Sequence, residues 1–66
     1  MTYYTIRRKD TGDEWRKGSP WKDYDGGHWE MAGNGSRYDA MSLAVMDTFR
    51  FDRMPFEVEV VPVEGR

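Results

Sequence analysis

The absence of cysteine from a chain of 66 residues is the feature that most limits what this protein can fold into. A domain of this length buries only about 60% of the surface that its unfolded chain exposes, and many such domains add disulfides or a metal ion. Disulfides and thiolate metal sites are excluded here, and a single histidine makes a zinc site uncommon. The chain instead has three tryptophans, four tyrosines and three phenylalanines, so we expect a few well-packed rings to anchor the core.

The overall composition predicts a folded protein that is not embedded in a membrane. Mean hydropathy is -0.91 and 33% of the residues are charged, but the aromatic content argues against disorder. No stretch approaches the roughly 18 apolar residues of a membrane span, and the N-terminus lacks the apolar run of a signal peptide. We therefore expect one soluble, cytoplasmic domain over residues 1–66 with no cofactor and no bound metal.

The first half of the chain has the pattern of three short strands. Residues 2–8, TYYTIRR, are β-branched and aromatic and predict a strand, and the KDTGD sequence at 9–13 predicts a tight turn. Residues 14–18, EWRKG, can return beside the first strand as a hairpin. The DGG sequence at 25–27 is the strongest turn signal in the chain, and residues 28–32, HWEMA, predict a third strand.

The only predicted helix covers residues 37–49, RYDAMSLAVMDTF. Ser36 is a favourable N-cap, and Asp39 three positions later forms a weaker variant of the capping box. One stripe of apolar side chains is expected to face the sheet, with Ala44 beside it: Tyr38, Met41, Val45 and Phe49. Pro55 prevents the helix from continuing past it.

The C-terminal residues 56–63, FEVEVVPV, predict the clearest strand. Valines alternate with Glu57 and Glu59, so one face is expected to be buried and the other wet. Pro62 has no N–H to donate and indicates a sheet edge or a strand end. The order β-β-(β)-α-β therefore predicts an α+β fold with one helix packed on a small, mainly antiparallel sheet, and Trp29 is the ring we most expect to be buried.

Residues 19–35, SPWKDYDGGHWEMAGNG, contain the only histidine, His28, and resemble a site at first inspection. Asp23 and Asp25 begin the alternation of an EF-hand loop, but nothing completes it, and Asp before Gly-Gly is typical of a turn. No serine or threonine lies near the histidine in a recognisable motif for nucleophilic catalysis. The GNGS sequence at 33–36 could hold an anion or simply begin the helix. We assign no catalytic, cofactor-binding or metal-binding residue.

Charge is divided unevenly along the chain. Residues 1–22 carry six basic and three acidic side chains, a net +3, and residues 23–66 carry four basic and nine acidic side chains, a net -5. Basic residues interleaved with aromatic ones are typical of proteins that bind single-stranded nucleic acid. The candidate nucleic-acid-binding residues are Arg7, Arg8, Lys9, Arg16 and Lys17. The alternative is a solvated hairpin whose tryptophans belong to the core.

The predicted helix is apolar on more than one face. Leu43 and Met46 lie away from the stripe, and Val61 and Val63 on the last strand add further apolar surface. Apolar patches rimmed by charge are typical of sites for a protein partner or for self-association. The candidate protein-binding residues are Leu43, Met46, Asp47, Glu57 and Glu59. The alternative is that the loop at 50–56 covers Leu43.

Residues 28–64, with the strand HWEMA, the helix RYDAMSLAVMDTF and the alternating strand PFEVEVV, resemble small phage-encoded accessory proteins in architecture. That class includes anti-CRISPR proteins and the coliphage inhibitor of bacterial RNA polymerase. The resemblance implies a non-enzymatic, stoichiometric inhibitor that binds a host protein complex. Residues 3–50 also resemble the arm-binding domains of phage integrases. A nucleic-acid-binding protein and a homodimeric structural protein are the alternative hypotheses.

Overall fold

A computed structural model describes residues 1–18 and 26–64 of the chain as a four-stranded sheet with one α-helix. The elements in chain order are β1 (Thr2–Arg8), β2 (Glu14–Lys17), β3 (Gly27–Glu30), α1 (Met41–Thr48), a 3₁₀ turn (Phe49–Phe51) and β4 (Val58–Glu64). The strands lie in the order β3-β2-β1-β4, and each neighbouring pair is antiparallel. The predicted α+β fold, one helix on a small antiparallel sheet, is confirmed.

The predicted first turn and the edge position of Pro62 are confirmed. Gly12 has φ +79° in the β1–β2 turn, and its N–H donates to the Arg8 carbonyl at 3.0 Å. The turn predicted at 9–13 therefore forms where the sequence places it. Pro62 lies in β4, an edge strand that pairs only with β1. The other side of an edge strand has no neighbouring strand, so a residue without an N–H is tolerated there. β3 begins one residue earlier and ends two residues earlier than predicted.

The core lies on the sheet face that α1 covers and is dominated by aromatic rings. Its buried residues are Ile6, Trp15, Tyr38, Ala44 and Phe51. The Trp15 ring centre is 4.9 Å from that of Phe51 and 5.3 Å from that of Trp29, both in edge-to-face geometry. The prediction that Trp29 is the most buried ring is wrong. Trp15 is only 6% exposed because β2 is an inner strand, whereas Trp29 lies on the edge strand β3 and is half-buried.

The helix is shorter than predicted, because it begins at Met41 and ends at Thr48. Ala40 is the N-cap residue, in an extended conformation and without a side-chain cap bond. The Ser36 hydroxyl, expected to cap the helix, instead accepts the Lys17 N–H at 2.7 Å. The hydrogen bond between Ser36 and β2 therefore replaces the helix cap that the local sequence predicts.

That pairing occurs in a split between β1 and β2. The two strands share one register pair, Arg7 opposite Glu14. Beyond it, Tyr38 exchanges two backbone hydrogen bonds with Tyr4 at 2.7 and 3.0 Å, and the Ser36 N–H donates to the Trp15 carbonyl at 2.9 Å. Residues 36–38 are therefore inserted between the two strands, and the chain passes there from the far face of the sheet to the face covered by α1.

The predicted stripe is also wrong for three of its four members, because Met41, Val45 and Phe49 are exposed. Ala44, with 0% exposure, is the buried residue of α1. Tyr38 before the helix and Phe51 after it fill the space that the stripe was expected to occupy. The helix therefore approaches the sheet through its smallest apolar side chain.

Gly35 provides a test of how closely the 31–37 loop lies on the far face of the sheet. A Cβ at this position would lie 2.5 Å from the Glu14 Cβ and 2.7 Å from the Thr5 Oγ1. We expect Gly35→Ala to lower the free energy of unfolding by about 1–3 kcal/mol, because overpacking forces the loop off the sheet. Urea denaturation measures this change. Ser42→Ala, on the exposed side of α1, is the control and should change stability by less than about 0.5 kcal/mol. Equal stability of the two variants would contradict the packing described.

Candidate functional site

The most prominent feature of the surface is a group of exposed apolar side chains on α1 and the residues that follow it. We call this group the α1 surface: Met41, Leu43, Val45, Met46, Phe49 and Met54. Their exposed fractions range from 41% to 65%, so none is covered by the sheet or by the loop after the helix. The alternative in which the loop covers Leu43 therefore does not hold. Exposed charges of both signs lie at the ends of the surface, Asp39 before α1 and Arg53 after the 3₁₀ turn.

The structure brings together only part of the predicted protein-binding set. Leu43 and Met46 are on the α1 surface, as expected. Asp47 is half-buried, and its carboxylate accepts hydrogen bonds from the Tyr38 hydroxyl and from Arg50 Nη2, the latter at 3.1 Å. Burial and the neighbouring Asp47 carboxylate raise the pKa of the Tyr38 hydroxyl. Asp47 therefore has a structural role near the C-terminus of α1.

The two glutamates of the set lie elsewhere. Glu57 precedes β4, and its carbonyl accepts the Lys9 N–H at 3.0 Å. Glu59 is exposed and lies opposite Arg7 in the strand register. Because Val58 and Val60 pack against the core, the alternation of β4 places Glu59 on the far face, away from α1. The sequence pattern of β4 could have shown this separation, since the glutamates alternate with the half-buried valines that pack against the core.

The structure also divides the predicted nucleic-acid-binding set. Arg7 forms an ion pair with Glu14 at 3.1 Å, and Arg8 forms one with Asp10 at 2.6 Å. The Arg8 guanidinium also lies 3.9 Å from the centre of the Phe56 ring. Lys9 is exposed in the β1–β2 turn, and the other two members, Arg16 and Lys17, lie at the opposite end of the hairpin. The five residues therefore do not form one basic patch.

Glu14 explains why the GNGS sequence is not a free anion site. Its carboxylate is buried, accepts the Gly33 and Gly35 N–H groups at 2.9 and 3.1 Å through Oε1, and contacts Arg7 through Oε2. Burial pushes the pKa of Glu14 up, but the bonds from Arg7 and the two amides have the larger combined effect, and the pKa is lowered. The protein's own carboxylate therefore occupies two amide groups of the loop, and the helix begins five residues after Ser36.

The possible metal site at Asp23, Asp25 and His28 lies only in part within the residues that the structure describes. His28 Nε2 lies 3.6 Å from Glu30 Oε2, and no group of three or more potential metal-binding side chains occurs within residues 1–18 and 26–64. Asp23 and Asp25 lie outside these ranges. No helix in the same ranges has the length and apolar character needed to cross a membrane.

Comparison with known proteins finds no relative of this chain. No protein-family model matches the sequence, and no curated protein or solved structure matches the chain significantly. The site therefore has to be interpreted from its own geometry, in which a small α+β domain carries an exposed apolar helix.

The role of Glu14 predicts a specific dependence of stability on pH. Because folding lowers its pKa, the Glu14 carboxylate stabilises the fold above its ordinary pKa of 4.5, and this contribution is lost as the pH falls through the lower folded value. We expect Glu14→Gln to lower the free energy of unfolding by about 1–3 kcal/mol at neutral pH, with a smaller loss in acid. Urea unfolding at several pH values from neutral to acidic tests this. Glu57→Gln, at an exposed carboxylate, is the control. Parallel pH profiles for Glu14→Gln and the unmodified protein would contradict the assigned role.

Proposed function

We propose that this protein is a non-enzymatic binding module that uses the α1 surface to engage another protein. The observation that supports the proposal is the concentration of exposed apolar side chains on α1, which contributes only Ala44 to the buried core, and on Phe49 and Met54 after it. Exposed apolar side chains concentrated in this way are costly to leave in water and are typical of interaction sites.

The chemistry of the surface suits adaptable binding. Three of its six side chains are methionines, which are flexible and polarizable and can fit irregular apolar surfaces. Phe49 is 64% exposed and supplies an aromatic ring, a residue type enriched at the centres of protein interfaces. Phe49 is therefore the expected anchor, and the methionines around it are expected to exclude water.

The size of the surface favours a different protein over a second copy of this chain. The α1 surface consists of only six side chains, on one eight-residue helix and the residues that follow it. Obligate homodimers commonly bury roughly 1,000 Å² or more on each partner. Because α1 presents apolar residues at helical spacing, such as Val45 and Phe49, the fitting partner has an apolar groove that accepts a helix face.

The architectural resemblance to phage-encoded inhibitors supplies the expected class of partner, a bacterial host protein complex. In this hypothesis the module acts stoichiometrically, by covering a groove that the complex uses. Residues 39 and 52–53 place charges of both signs at the ends of the surface, so the groove is expected to be rimmed by polar residues.

The α1 surface predicts which substitutions abolish binding. We expect Met46→Glu with Phe49→Glu to reduce recovery of the partner at least about tenfold, because two charges enter an apolar interface. Both side chains are exposed, so the fold should persist, which circular dichroism checks. The measurement is affinity purification from a nuclease-treated bacterial lysate at about 0.15 M salt. Met31→Glu is the matched control, since Met31 is 72% exposed but lies outside the α1 surface.

The outcomes of this experiment separate the hypotheses. A protein retained by the chain and by Met31→Glu, but lost from the double variant, supports the proposal. A protein retained equally by all three places the interface elsewhere, and recovery that disappears after nuclease treatment favours nucleic acid as the ligand. Dimerisation in light scattering that the double variant removes would make a second copy the occupant.

We expect Glu57→Gln with Glu59→Gln to retain the partner, because Glu59 lies on the face opposite α1.

A further inference from the structure

The outer side of β4 is an open strand edge. Within residues 1–18 and 26–64, β4 has a neighbouring strand on one side only, which is β1. Tyr4 lies opposite Pro62 in the register, but it exchanges its backbone hydrogen bonds with Tyr38, on the side away from β4. Since the residues of an antiparallel pair alternate between bonded and non-bonded positions, Pro62 directs its backbone to the open side. Val58 and Val60, at the same alternation, do so as well.

Pro62 limits the part of this edge that another chain can use. Because it has no N–H, the backbone donors before it on the open side are the N–H groups of Val58 and Val60. Short edges and prolines are common devices against uncontrolled strand pairing. We call the usable part, residues 58–61, the β4 edge. A strand added here is expected to bond over only a few residues.

A groove runs along the β4 edge on the face of the sheet that α1 covers. Its volume is about 320 Å³, at the lower end of the range of ligand pockets. The Phe51 and Phe56 rings line it, together with Val58, Val60 and Thr48. Phe56 and the two valines pack against the core but are only half-buried. Part of each side chain is therefore available to a further apolar side chain.

The charged residues that line the groove are mostly acidic: Lys9, Asp52, Glu57 and Glu59. The Lys9 N–H donates to the Glu57 carbonyl, so this cation lies on the strand beside Glu57. Arg7 is opposite Glu59 in the register, but it forms its ion pair with Glu14 of β2. The exposed Glu59 carboxylate, on the far face of the sheet, therefore has its cross-strand cation engaged elsewhere.

We infer that the β4 edge binds an extended segment of a partner protein in which apolar and basic residues alternate. Side chains of an added strand point alternately to the two faces of the sheet. The residues opposite Val58 and Val60 place apolar side chains in the groove, beside Phe51 and Phe56. The residue between them places a lysine or arginine on the far face, opposite Glu59. The inference does not rest on the proposed function, because no residue of the β4 edge belongs to the α1 surface.

A second copy of this chain fits the β4 edge poorly. A twofold-symmetric, antiparallel pair of β4 strands either includes Pro62 in the new ladder or places Glu59 opposite a glutamate of the other copy. The first arrangement lacks a ladder hydrogen bond, and the second sets like charges against each other. A segment of different sequence avoids both costs.

The probe is an acetylated and amidated peptide of about seven residues, with valine, lysine and valine at its centre and threonines on both sides. Hydrogen exchange followed by NMR reads the backbone contact, because the Val60 N–H faces the open edge and the Glu59 N–H faces β1. With the peptide at roughly nine times its Kd, exchange at Val60 should slow about tenfold, since about a tenth of the sites stay open. Exchange at Glu59 should change less than about twofold.

A charge exchange tests the predicted pairing with Glu59. We expect Glu59→Lys to weaken binding of the lysine peptide about three- to tenfold, and to strengthen binding of a peptide with glutamate in place of lysine. Glu64→Lys is the matched control, at an exposed carboxylate five residues further along β4. It is roughly 17 Å away at about 3.4 Å per residue, beyond the screening length of about 8 Å at 0.15 M salt. It should change affinity less than about twofold.

Slower exchange at Val60 together with the reversal of peptide preference by Glu59→Lys supports the inference. Absence of peptide binding at about 1 mM, binding without protection of Val60, or equal effects of the Glu59 and Glu64 variants would overturn it. Met46→Glu with Phe49→Glu should bind the peptide normally, and loss of binding would place the peptide on the α1 surface instead. Protection of Val60 without peptide that fades on dilution would make a second copy the occupant and overturn the inference.

Discussion

The buried carboxylate of Glu14 is the interaction on which the rest of the structure depends. It lies at the only register pair between β1 and β2 and contacts Arg7 on one side and the Gly33 and Gly35 amides on the other. A buried carboxylate without such partners would cost several kcal/mol, so the loop and the hairpin are stable only together. In a chain without disulfides, this bond network fixes a seven-residue loop, 31–37, on the sheet.

The path of that loop determines what the helix can do. Once the loop lies on Glu14, residues 36–38 enter the split between β1 and β2, and Tyr38 pairs with Tyr4 in extended conformation. The helix therefore begins only at Met41, and Tyr38 with Phe51 fills the core on either side of Ala44. Ala44 is the buried residue of α1, and its larger apolar side chains stay exposed. The exposed surface thus follows from the same constraint that holds the loop.

The sequence predicted the elements whose signals are local. β1, the turn at Gly12 and the edge position of Pro62 depend on side-chain type and backbone conformation within a few residues, and all three are confirmed. The start of the helix depended on whether the Ser36 hydroxyl bonds its own turn or the backbone of Lys17, which no local pattern encodes. Helical periodicity identified which side chains share a face, as for Leu43 and Met46, but could not identify which face meets a sheet. Val45 and Phe49 were therefore placed in the core although they are exposed.

Net charge is a poor guide to the surfaces of a protein this small. The chain has two more acidic than basic residues, a balance that as a total disfavours anionic ligands. The structure, however, pairs Glu14, Asp10 and Asp47 with arginines. Arg16, Lys17 and Arg37 have neutral contacts instead, and Glu59 lies on the edge strand. Since exposed charges are screened over about 10 Å at 0.1 M salt, a ligand at any one surface is influenced by the nearby charges much more strongly than by the net charge of the chain. The local arrangement therefore decides which ligands each surface of the domain can attract.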